Sequence, residues 1–81
     1  MPDPFEEPPT HTIEVDARFL QPPEPMERTV EALDRLRPGG EVQLLLHREP
    51  HPLYQMLRQS GYRYRAGQRD DGSWLIRIRQ G

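Results

Sequence analysis

The stretch "LRPGGEVQLLLHREPHPLYQML", Leu36 to Leu57, decides the fold. In its middle, Val42, Leu44 and Leu46 alternate with Gln43, Leu45 and His47. A period of two is the signature of a strand with two unlike faces. The "RPGG" before it stops a helix. After it, Leu53, Met56 and Leu57 return at helical spacing, with Pro52 suited to the first helical position, where its missing N–H costs nothing. Gly61 supplies a C-terminal stop. One apolar strand therefore runs between two helices.

Upstream, "HTIEVDARFL" places Ile13, Val15 and Ala17 on one face and Glu14 and Asp16 on the other, a half-buried strand. "LQPPEP" must be extended, because residues before proline avoid the helical region. A helix follows from Pro25, with Met26, Val30, Leu33 and Leu36 as its apolar stripe and Glu31–Arg35 as an i,i+4 pair. Downstream, "YRYRAGQ" sets Tyr62, Tyr64 and Ala66 against Arg63 and Arg65. "RDDG" turns the chain. "SWLIRIR" then turns Trp74, Ile76 and Ile78 inward and Leu75, Arg77 and Arg79 outward.

The predicted fold is an α/β (α+β) two-layer sandwich of order β-α-β-α-β-β. Right-handed crossovers put both helices on one face of a mixed four-stranded sheet. The apolar last strand belongs inside, and the arginine-rich third strand suits an edge. The expected sheet order is 1-2-4-3.

With 81 residues the chain is sized for one domain, expected over residues 11–81. Residues 1–10, with four prolines and three acids, read as a disordered acidic Pro-rich tail. Docking of Phe5 on a partner is the functional alternative for that tail. The absence of cysteine removes disulfides, thiolate catalysis and Cys-based metal sites. No stretch reaches the roughly 18 apolar residues of a membrane span, and the acidic start does not resemble a signal peptide. A cytoplasmic protein is expected. Charge is uneven: residues 1–34 hold nine acids and two arginines, and residues 35–81 hold nine arginines and four acids. Such asymmetry marks a partner surface or an attraction within the domain.

The strand ending in "VDARFL", the "PEPM" helix start, "LRPGGEVQLLL" and the final "WLIRIR" resemble the TusA (SirA-like) sulfur-carrier family over about Ile13 to Arg79. That family carries a persulfide on the cysteine of a Cys-Pro-x-Pro motif. Here the segment reads Pro22-Pro23-Glu24-Pro25, with Pro22 at the cysteine position. A persulfide needs a thiol, so the sulfur-carrier function does not transfer. "HREPHPLY", "GYRYR" and "DGSWLIRI" resemble a related bacterial group of small domains of unknown function that also lacks the cysteine. The resemblance implies a TusA-like fold and, for some members of that group, a link to hemerythrin-like or other redox-associated domains.

In such a fold the loops after the first two strands meet at one sheet end, each leading into a helix N-terminus. That end gathers Asp16, Arg18, Gln21, His47, Arg48, Glu49, His51 and Tyr54 as a candidate ligand or partner site. Paired helix N-termini favour anions, and ligands of open α/β sheets favour this strand end. A metal ion is the alternative, on His47 and His51 with Glu49 or Asp16 as third ligand and His11 as a further candidate. The opposing reading makes His51 a helix cap and His47 a strand-end hydrogen-bonding residue. His47 and Glu49 as base and orienting acid lack a nucleophile context, so the expectation is no enzyme and no cofactor.

The uncovered sheet face forms a second candidate contact, with Leu45 and Leu75 central and Arg63, Arg65, Arg77 and Arg79 around them. Inward tyrosines and a net charge of −2 argue against nucleic acid. The expected partner is a protein, with a small anion as alternative and no membrane; an arginine-face binder of nucleic acid or acidic proteins, with strongly salt-dependent association, is the second alternative. The expected state is a monomer or weak dimer.

Overall fold

The computed structural model describes residues 3–81. Its elements are β1 (Thr12–Asp16), α1 (Glu24–Asp34), β2 (Glu41–Leu46), α2 (His51–Gln59), β3 (Tyr62–Gln68) and β4 (Trp74–Gln80). The sheet order is β1-β2-β4-β3, as the patterning predicts. β1 runs parallel to β2, while β4 is antiparallel to both β2 and β3. No helix among the described residues is long and apolar enough to cross a membrane.

Register gives the sheet two unlike faces. Val42 lies opposite Ile78 and Leu44 opposite Ile76, and all four are fully buried. Both helices cover this face, adding Ala32, Leu33, Leu53 and Leu57 to one core. The other face pairs Gln43 with Arg77, Leu45 with Leu75, Arg63 with Arg79 and Arg65 with Arg77.

The α1 stripe differs from the expected one. Val30 is 40% exposed, and Thr29 is fully buried in its place. The Thr29 hydroxyl donates to the Pro25 carbonyl at 2.8 Å, which satisfies the group and makes its burial tolerable. The expected Glu31–Arg35 pair is replaced by Arg28–Glu31 at 3.7 Å, because Arg35 lies past the last helical residue, at the C-cap. In α2, Tyr54 joins Leu53 and Leu57 in the core, and Met56 is half-buried against it.

The uncovered face is sealed at one end by a buried ion cluster. The Glu41 side chain is 1% exposed. Its Oε1 accepts from Arg79 Nε at 2.9 Å and Arg77 Nε at 3.2 Å, and its Oε2 accepts from Gln43 at 2.7 Å. Burial pushes the Glu41 carboxyl up, but the hydrogen bonds from Gln43, Arg77 and Arg79 outweigh it, and the group lies below the usual glutamate range.

Where composition predicts a solvated tail, residues 3–10 lie against this cluster. The Phe5 ring sits 5.1–5.3 Å from the guanidinium carbons of Arg65, Arg77 and Arg79. Asp3 pairs with Arg65. Arg79 Nη1 donates to the carbonyls of Pro4 and Glu7. An acidic segment with one aromatic ring meets the part of the sheet richest in arginine, and cation–π attraction holds the ring there. Residues 1 and 2 of the expected tail lie outside the described residues.

His11 braces the turn into β2. Its Nε2 accepts from the Arg37 backbone N–H at 3.3 Å, and its Nδ1 lies 3.0 Å from the Thr10 hydroxyl. These contacts give it a structural role, where the metal alternative names it a further candidate ligand. Gly40 is what permits this, since a Cβ there would stand 2.3 Å from the His11 ring.

Two measurements check this account. Gly40→Ala should lower the urea midpoint, at a cost of about 1–3 kcal/mol from overpacking. Glu41→Gln should cost about 3–5 kcal/mol, because it leaves Arg79 buried without its counter-ion. The folded pKa of Glu41 is depressed, so its contribution is present above the unfolded value of about 4.3 and is lost as pH falls through the folded value. Stability of the natural chain should therefore drop below pH ~4, and Glu41→Gln should show a smaller drop.

Candidate functional site

β1 and β2 are parallel, so both deliver the chain to the same end of the sheet. There Ala17, Leu20 and Leu46, with Pro22, Pro25 and Pro50, wall a cleft of about 520 Å³. Arg18, Gln21, His47, Arg48 and Glu49 also line it. Neither helix entering from this cleft has a side-chain cap: the residues before α1 and α2 are Pro23 and Pro50, which cannot supply one. Proline serves here because it fixes the backbone at a helix start, and the first-turn N–H groups turn to backbone carbonyls instead: Glu24 to Gln21, Glu27 to Pro23, His51 to Glu49 and Tyr54 to Pro50.

The expected residues separate into three groups. Asp16 and Arg18 form a bidentate pair at 2.9 and 2.8 Å, with the Arg18 backbone N–H on the same carboxylate at 3.2 Å. These bonds, the side-chain bond first, hold Asp16 at a pKa of about 2. The pair fixes Arg18 so that its guanidinium carbon stands 5.6 Å from the Phe19 ring centroid.

Glu49, His51 and Tyr54 form the second group. Glu49 accepts from the Tyr54 hydroxyl at 3.2 Å and lies 3.1 Å from His51 Nε2. Tyr54 stacks on Tyr64, centroids 4.4 Å apart and planes 2° from parallel, and Arg58 donates to the Tyr64 hydroxyl at 2.8 Å. Burial first, then the bond to Glu49, raises the Tyr54 phenol above its ordinary range. Glu49 is thus committed to holding α2 against β3. His51 is the first residue of α2 rather than its cap.

The third group faces outward. His47 is exposed and meets the Phe19 ring edge-on at 5.4 Å. Gln21 is exposed, and its backbone carbonyl accepts from the Glu24 N–H. Arg48 is exposed and has no hydrogen-bond or ion-pair partner among the described residues. His47 turns to Phe19 and His51 to Glu49, so the proposed metal set does not converge. Among the described residues, no three or more His, Cys, Asp or Glu side chains group as a metal site.

Sequence reasoning missed two residues. Phe19 is 82% exposed, beside Arg18 and His47 of the cleft lining. The available signal was an aromatic just before a proline-rich turn, outside every apolar stripe. Glu41 carried no signal of its own, because its role depends on the cross-strand register that brings Arg77 and Arg79 to it.

On the second candidate surface, Leu45 and Leu75 are half-buried and border a shallow hollow of about 430 Å³ with Glu14, Asp16 and Arg69. Arg63 and Arg65 are exposed. Arg79 is not available at this surface as expected, being buried beneath residues 4–7.

The Tyr54 arrangement is checked by absorbance titration of the phenolate. Its ionisation should come well above pH 10, and Tyr54→Phe should remove that late phase. Because the folded pKa is raised, this group's contribution is present below pH ~10 and lost as pH rises further. The variant keeps the stack and loses one hydrogen bond, at a cost of about 1 kcal/mol.

Residues 14–80 match the profile of a family described as an uncharacterized conserved protein, DUF2249. No curated protein and no solved structure matches the chain. The matched span holds the cleft and nearly the whole sheet, and begins after residues 3–10.

Proposed function

The chain belongs to the DUF2249 family, and we propose that it is a non-enzymatic adaptor domain that docks a protein partner at the cleft end of the sheet. The carrying observation is Phe19, which stands 82% exposed between Arg18 and His47. A large apolar ring left in water and flanked by arginine is the composition of an interface anchor. Asp16 holds Arg18, and the Glu49–Tyr54–Tyr64–Arg58 chain holds the loop before α2. A preorganised surface loses less entropy on binding. Exposed Arg48 at the cleft favours a partner that presents a carboxylate beside its apolar contact.

The element order and the Pro22-Pro23-Glu24-Pro25 entry to α1 support a TusA-like origin for this domain. Pro22 stands where a persulfide cysteine would be, at the rim of the cleft. On this reading the domain keeps a docking end of the fold without sulfur chemistry. A cytoplasmic setting and a monomeric or weakly dimeric state belong to the same reading.

Site-specific photocrosslinking tests the proposal. A benzoylphenylalanine at position 19, in the cells that make the protein, should give one discrete adduct. The same probe at Val30, the other exposed large apolar residue among the described ones, should not. Arg48→Ala should weaken the adduct, and Phe19→Ser should leave the melting temperature nearly unchanged, as expected for an exposed position. Equal adducts from positions 19 and 30, or none from 19, would overturn the reading.

A further inference from the structure

We propose that the arginine end of the open sheet face is a second recognition site, for an acidic peptide segment with one aromatic residue supplied by a partner protein. Residues 3–7 of the chain occupy it in cis as a competing ligand. The site lies at the start of β2, five residues from the cleft, or roughly 17 Å along the strand. It is independent of docking at Phe19.

The observation is that the chain's own residues 3–7 are seated on this face. Three guanidinium groups converge on the Phe5 ring, and Asp3 pairs with Arg65. Three arginines against Glu41 leave the pocket strongly positive, so the arm matches it in charge as well as in shape. The arm does not extend the sheet. Its nearest backbone tie to the domain is Thr10 N–H to the Gly39 carbonyl, and within it Glu6 N–H bonds back to Asp3. Side chains and the Arg79 bonds therefore hold it, and such contacts can be exchanged without unpairing any strand.

The fit is incomplete at one atom. Arg79 is 6% exposed, and its Nη2 has no hydrogen-bond partner among the described residues. The arm gives Arg79 only two backbone carbonyls, both at Nη1. A segment that places a carboxylate at Nη2 would satisfy a group the arm leaves bare, and a buried unpaired donor is costly. A better ligand than the arm is therefore chemically available, and it is more acidic than the arm.

Fluorescence anisotropy with a labelled peptide of residues 3–9, DPFEEPP, tests this on the full chain and on a Phe5→Ala, Asp3→Asn variant. The variant should bind the peptide. The natural chain should bind it about tenfold or more weakly, since a tethered competitor acts at roughly millimolar effective concentration. Replacing phenylalanine by alanine in the peptide should abolish binding, as should Arg65→Ala with Arg77→Ala in the variant. A peptide with glutamate in place of Pro4 should bind more tightly than the native one, and binding should weaken with salt. No saturable binding by a variant whose NMR spectrum retains the dispersed sheet signals would overturn the proposal. So would equal binding to both chains, or an arm-dependent dimer in light scattering, which would make a second copy's arm the occupant.

Discussion

β2 and β4 pair so that Glu41 meets Arg79 on one face where Val42 meets Ile78 on the other. The two faces are consequences of one register. A slip of either strand by a single residue would carry Val42 and Leu44, or Ile76 and Ile78, out of the core and turn polar side chains toward the helices. On the uncovered face the same register sets a buried carboxylate against two guanidinium groups, which resists any other alignment because a lone buried ion is far more costly than a paired one. Apolar burial stabilises the pairing, and the ion cluster narrows it to one alignment.

From this pairing the rest of the surface takes its character. The parallel partner β1 delivers its exit loop beside that of β2, so two proline-led helix starts share one cleft. The antiparallel partner β3 brings Arg65 beside Arg77, so the acidic N-terminal segment finds a positive seat. The charge imbalance between the two halves of the chain is thus used at least partly inside the molecule, in Asp3–Arg65 and in Glu41 with Arg77 and Arg79.

The polar residues of the "HREPHPLY" loop follow different physical demands despite their closeness in sequence. Glu49 satisfies a buried phenol, His51 leans on Glu49, and His47 turns to an aromatic edge. Proline on both sides of His51 stiffens the loop and keeps the imidazoles from converging. Arg48 and Phe19 remain turned toward solvent.

By itself the sequence determined the order of the elements, the face of each strand and the sheet order, because periods of two and 3.6 and the proline and glycine stops are local properties of the chain. It also put the loops after β1 and β2 at one end of the sheet, since a strand followed by a helix start can be read from neighbouring residues. The tertiary structure alone decided that Thr29 rather than Val30 faces the core, that Glu41 is the buried counter-ion, that His11 braces a turn and that Phe5 has a seat on the sheet. Each of these depends on atoms distant in the chain: a carbonyl one turn back, a guanidinium 38 residues on, a glycine that admits an imidazole, three arginines from two strands. Periodicity records which face a residue takes, but the partner across the gap is set only when register and packing bring it there.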